Sequence, residues 1–210
     1  MYTPIQELPT DIRDFVNCTL TQINRRRIKT LLPLTPRVYF APNMQTSGYF
    51  SAEEFAVGMG KSLNEWLRIF AHESSHADQL FEDARVWRFR VKNKDPCQLL
   101  DLWLQGRKYA HDVIEKFISC IIELERDCEI RTMRKIRDHN LPLDIEDYCR
   151  RANVYMCFYR AVQSKRRWYK HDIYTPELLD TVRSDRIMFM SELSKITIKQ
   201  QKLFYSVMDK

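Results

Sequence analysis

Apolar residues recur at helical spacing in several stretches of this chain, and polar or proline-bearing breaks separate them. In the first stretch Ile12, Phe15, Val16, Leu20 and Ile23 share one face. Leu8-Pro9-Thr10-Asp11 opens it with a helix-start signal, and Pro33 and Pro36 close it, which predicts a helix over residues 11–30. Residues 37–41 (Arg-Val-Tyr-Phe-Ala) are β-branched and aromatic between two prolines and predict a short strand. A polar turn over 43–48 leads to Tyr49-Phe50 and then to a second apolar run, 54–59. Three of the four glycines (Gly48, Gly58 and Gly60) fall in this region, which predicts a small twisted sheet with tight turns.

The next helix is marked more sharply. Ser62-Leu63-Asn64-Glu65 is a capping box, S-x-x-E, and it opens a run without proline or glycine over 63–81. Leu63, Leu67 and Phe70 mark its apolar face, and Trp66 and Ile69 widen it. Trp87, Phe89 and Val91 then alternate with Arg88, Arg90 and Lys92, a period of two that predicts a strand. A turn over 92–96 and a short helix over 97–105 follow, and after Gly106 comes the longest periodic segment, a helix over 108–139. Leu141-Pro142-Leu143 breaks it; Asp144, with Asp147 three residues on, caps a helix over 145–164. Pro176 after Thr175 starts a further helix, and residues 185–208 predict a last one. With no repeat and no low-complexity linker, the 210 residues are expected to form one α+β domain, mainly helical, with its small sheet ahead of the 63–81 helix.

Composition narrows the class. At 44% hydrophobic and 30% charged residues, the chain suits a globular protein with one sizeable core. The formal net charge of +6 is dispersed, with only Arg25-Arg26-Arg27 and Lys165-Arg166-Arg167 clustered. Solvated surface is the expected role of both clusters, so nucleic acid is not the favoured partner. Six cysteines form no C-x-x-C pair, and the start Met1-Tyr2-Thr3-Pro4 carries no signal peptide, so they are expected to be reduced thiols in the cytoplasm. The apolar clusters are too short to span a bilayer, and no membrane partner is expected.

One stretch carries candidate chemistry. His72-Glu73-Ser74-Ser75-His76 reads H-E-x-x-H on the helix that the capping box predicts independently. Residues four apart lie on one face a turn apart, so His72 and His76 can offer two imidazoles to one ion. Glu73 projects about 100° around the axis from His72, where a general base for an activated water would sit.

A catalytic zinc ion usually has three protein ligands. In the metzincin arrangement a glycine three residues after the second histidine lets the chain turn back; here Gln79 stands at that place, which demotes Glu82 as third ligand. His111, His139 and His171 have no partner at ligand spacing. The acidic cluster Glu123-Leu124-Glu125-Arg126-Asp127-Cys128-Glu129 offers four further candidates. Stepping about 100° per residue from Ile121 puts Ile114, Phe117, Ile118, Cys128 and Thr132 within about 60° of it. Glu125 falls at roughly 40° and Glu129 at roughly 80°, in or beside that apolar stripe, whereas Glu123 and Asp127 fall at roughly 200° and 240°. A carboxylate inside a core-facing stripe needs a partner, either a metal or an arginine such as Arg131 or Arg90. Beside an H-E-x-x-H helix the metal is the favoured partner, which makes His72, His76 and Glu125 the candidate ligand set for Zn2+.

These two motifs resemble those of the gluzincin metallopeptidases, the clan of thermolysin, the CAAX-prenyl peptidases and the ImmA/IrrE-type proteins. There an H-E-x-x-H helix precedes a helix bearing E-x-x-x-D, whose Glu binds zinc and whose Asp supports a ligand histidine. Here Glu125-Arg126-Asp127-Cys128-Glu129 is similar to that pattern, with Glu129 in place of Asp and Cys128 where a small residue is usual. Phe70 to Gln79, followed by the Asp-Cys-Glu block, is also similar to small phage-encoded metallopeptidase-like proteins. The resemblance covers about residues 37–131 and implies a zincin-like core over 37–139 with a helical extension over 140–210. It implies zinc-dependent hydrolysis of a peptide or protein substrate, with Glu73 as general base and Glu129 supporting a ligand. The strand before the active helix, with Phe55, Ala56, Val57 and Gly58, would bind the substrate as an added β-strand. A phage-encoded protein of this kind would act in the host cytoplasm. Tyr155, Tyr159, Tyr169 and His171 are candidates for an oxyanion donor, but packing or surface is the better reading of each, and none is placed in the site. Two rival readings remain: a catalytically inactive zincin-fold regulatory or structural protein, and a SprT-like protease acting on nucleic-acid-bound proteins.

Overall fold

The computed structural model describes residues 5–31, 48–57, 62–168 and 172–209. It is mainly helical with one small sheet. The chain divides into two compact units, Met1–Ala84 with Ile130–Leu143, and Arg85–Glu129 with Asp144–Lys210. One unbroken helix, α4 (His111–Asp138), contributes to both.

In the first unit, α1 (Thr10–Arg25) buries Ile12, Phe15, Val16 and Ile23, the face its spacing predicts. It ends earlier than residue 30 because Arg27 turns into the left-handed region at φ 58°. The chain then enters β1 (Lys29–Leu31). The other strands are β2 (Gly48–Phe50) and β3 (Glu54–Val57), and β3 lies in the middle. It pairs in parallel with β1, Thr30 opposite Phe55, and antiparallel with β2, Gly48 opposite Val57. This corrects the expected substrate strand. Phe55 and Ala56 already have partners on both sides, and Phe55, Ala56 and Val57 are all buried. A middle strand has no open edge to which a peptide could add. Gly58, the expected strand at 37–41 and most of the turn before Gly48 lie outside the described residues.

The capping box forms as its sequence predicts: α2 (Leu63–Phe81) starts at Ser62, whose backbone N–H donates to Glu65 Oε2 at 3.2 Å. Phe70 anchors α2 in this unit, edge-on to Phe15 of α1 (5.6 Å), Phe55 of β3 (5.4 Å) and Trp66 (6.2 Å). Such edge-to-face aromatic pairs add about 0.5–1.5 kcal/mol each beyond their buried area.

In the second unit the alternation at 87–91 does not become a strand. Arg85–Arg88 forms a 3-10 turn, and Val91 bridges only to Lys94 across Lys92 and Asn93, which take φ 50° and 61°. The apolar residues alternate there on a tight turn rather than on a pleat. Helix α3 (Pro96–Leu104) is capped by Asp95, whose carboxylate accepts from the Cys97 and Gln98 N–H groups. Helix α5 (Ile145–Lys165) is capped by Asp144 in the same way. Asn153 of α5 then clamps an irregular segment, donating to the Arg183 and Arg186 carbonyls and accepting from the Met188 N–H. The helix expected over 185–208 is therefore broken. After α6 (Pro176–Leu179), residues up to Phe189 stay irregular and α7 (Met190–Leu193) is one turn long. Thr197 and Gln200 then cap α8 (Ile198–Asp209) reciprocally through a second box, T-x-x-Q. All six cysteines are free thiols, and no helix among the described residues is long and apolar enough to cross a membrane.

Candidate metal centre

On α2 the rings of His72 and His76 face one another edge-on, with centroids 4.8 Å apart. That is the stacked, same-face placement a four-residue separation gives on a helix. The intervening serines turn inward: both Ser74 and Ser75 are buried and donate their hydroxyls to the Ala71 carbonyl, at 2.8 and 2.9 Å. His76 is held from its own helix, Nδ1 lying 2.8 Å from Oε1 of the buried Gln79. Glu73 is 7% exposed. The backbone of Gly48 in β2 comes close to its stem, leaving a Cβ at that position only 3.2 Å from Glu73 Cγ.

The C-terminal turns of α4 run alongside α2 within the first unit. Thr132 Oγ1 donates to Ser75 Oγ at 2.9 Å, and Lys135 Nζ meets Ser74 Oγ at 2.8 Å and Asp78 Oδ2 at 2.7 Å. Arg131 pairs with Glu82 at 2.6 Å. Partners on α2 fall in number as those on α4 rise, 82 with 131 and 78 with 135, so the two helices are antiparallel along this seam. Glu82 thus carries an ion pair at the end of α2, which fits its demotion as a ligand.

Among the described residues, two overlapping groups of side chains could hold a metal ion, and neither joins His76 with Glu125. His72 and His76 group with Cys128, and His72 groups with Glu125 and Glu129; within each group the ligand atoms lie within 4.8 Å of one another. Glu125 and Glu129 are buried, at 8% and 4% exposure, whereas Glu123 and Asp127 are half-buried, so the angular separation of the four acids holds. Glu129 accepts a hydrogen bond from the hydroxyl of Tyr148 on α5, a partner that the sequence reading did not name. Cys128 was likewise not a candidate ligand, although its place within about 60° of Ile121 on the stripe was the signal that could have found it.

Of the candidates considered for an oxyanion donor, Tyr155 and Tyr159 join hydroxyl to hydroxyl at 2.9 Å. Burial, then the neighbouring Tyr155 and Glu125, pushes the Tyr159 phenol well above its ordinary range, so it stays protonated. Tyr169 and His171 lie outside the described residues. His111 is exposed at the start of α4, and His139 packs against Phe15 with ring centroids 4.8 Å apart.

Two imidazoles, a thiol and two carboxylates make a mixed nitrogen, sulfur and oxygen donor set that could hold a metal ion. The chain matches no protein-family model, no curated protein and no solved structure.

Proposed function

We propose that this chain is a zinc-dependent metallopeptidase of the gluzincin kind, with His72, His76 and Glu125 as ligands and Glu73 as general base. The observation that carries the reading is the pair of overlapping donor groups, joined through His72, on an H-E-x-x-H helix and an antiparallel neighbour. When bound, zinc would acidify a water and polarise a peptide carbonyl. Glu73 would accept the water's proton on a carboxylate oxygen and deliver it to the amide nitrogen of the leaving group. Gly48 lets β2 pack against the Glu73 stem.

The test is cleavage of an unstructured protein such as casein by the zinc-loaded protein. Glu73→Gln should keep zinc and lose activity by about 10²-fold or more. Equal cleavage by wild type and Glu73→Gln would refute the assignment.

A second reading draws on Cys128. Cys128, not Glu125, is the third donor that groups with both histidines, and a metal held by those three would leave Glu125 without the ligand role of the peptidase reading and make the site a regulatory or structural one. Zinc-loaded wild type that cleaves nothing would favour this regulatory or structural role.

A further inference from the structure

The buried amide of Gln79 sits where it can choose which nitrogen of His76 is left to bind a metal. A neutral imidazole has one protonated nitrogen and one bearing a lone pair, and the partner of the first determines which is which. Gln79 Oε1 lies 2.8 Å from His76 Nδ1. An amide oxygen only accepts hydrogen bonds, so Nδ1 must carry the proton and Nε2 keeps its lone pair. Both side chains are buried, at 0% and 8% exposure, so bulk water competes poorly for this contact.

We propose that Gln79 is a positioning residue that locks His76 in the Nδ1–H tautomer and so makes Nε2 the metal-binding atom. This rests on the metal reading given above and deepens it. It also supplies a role for the residue that stands where a turn-making glycine would have been needed. Three residues on from His76, a side chain on the same face lies within reach of the ring without help from any other element. The choice of an amide over a carboxylate has a physical sense here. Glu125 and Glu129 already bring carboxyl groups to the group that His72 joins, and Cys128 brings a thiol to the one that both histidines join. A neutral holder fixes the tautomer without adding another negative charge. It also sets a condition, because the opposite amide orientation would present an N–H to Nδ1 and drive the imidazole proton onto Nε2.

Two measurements test this, one of them without metal. In the metal-free protein, long-range 15N–1H NMR correlations of His76 should report the Nδ1–H tautomer. Gln79→Leu should lose that preference, while Gln79→Glu, which presents the same acceptor, should keep it. Zinc affinity, read by competition with a chromophoric chelator, should fall about 10–100-fold in Gln79→Leu and be retained in Gln79→Glu. Should Gln79→Leu fail to fold, the unbranched Gln79→Met gives the same comparison. An Nε2–H tautomer in the wild type, or wild-type zinc affinity in the folded leucine or methionine variant, would overturn the proposal. Wild type that takes up no zinc would overturn the metal reading instead, and the tautomer measurement would still decide the role of Gln79.

Discussion

Gly48 and Glu73 lie against each other, the backbone of a strand on the stem of the candidate general base. A methyl group added to Gly48 would stand 3.2 Å from Glu73 Cγ, 2.9 Å from the Ala56 carbonyl oxygen and 2.5 Å from Ile69 Cγ2. The Ala56 oxygen belongs to the middle strand and cannot give way cheaply. Gly48→Ala should therefore cost about 1–3 kcal/mol of stability. Denaturant unfolding measures it, and an unchanged midpoint would show that β2 does not press on α2 as closely as described.

Much of this arrangement could be read from the residues, and what could not has physical causes. The 63–81 helix was legible because Ser62 and Glu65 cap it locally and nothing within it breaks the pattern. Glu125 was legible because helical angle alone separates it from Glu123 and Asp127. The middle position of β3 was not, since strand order depends on pairing with β1, more than 20 residues away in sequence. The 87–91 alternation misled because period two also arises on tight turns, and only the positive φ of Lys92 and Asn93 separates the cases. The C-terminal helix looked continuous because the T-x-x-Q box at Thr197 lies inside an otherwise helical composition. The pairing of Gln79 with His76 depends on side-chain rotamers and leaves no periodic trace.

The turn that carries α7 has an acid-sensitive clasp. Glu192 accepts from both Arg186 Nη atoms, at 2.7 and 2.9 Å, and from the Phe189 N–H at 2.7 Å. The Arg186 hydrogen bonds, then that of Phe189, hold the Glu192 carboxyl down at about 2, against an ordinary value of 4.5. Because the folded value is the lower one, the clasp stabilises the turn above the ordinary carboxylate range and is lost as pH falls from about 4.5 through about 2. Side-chain NMR should find Glu192 titrating near the lower value. Arg186→Ala should return it toward the ordinary one, and no change in that variant would remove Arg186 as the cause.

The cysteines should separate by burial. Burial pushes the Cys157 thiol up to about 12, leaving roughly one thiol in ten thousand ionised at pH 8. Cys128 and Cys149 are also buried, whereas Cys18 is exposed. Iodoacetamide followed by mass spectrometry should label Cys18 in the native protein and label Cys128, Cys149 and Cys157 only after unfolding. Native labelling of Cys157 would contradict its place in the core of the second unit.

The metal centre itself is tested most directly by metal content. Protein purified without chelator should carry about one zinc per chain by plasma mass spectrometry. His72→Ala and His76→Ala should lose it, and Glu125→Ala should hold it more weakly in chelator competition. Wild type with no bound zinc that also fails to take it up from a buffered solution, or a Glu125→Ala variant that binds zinc as tightly as wild type, would contradict the account.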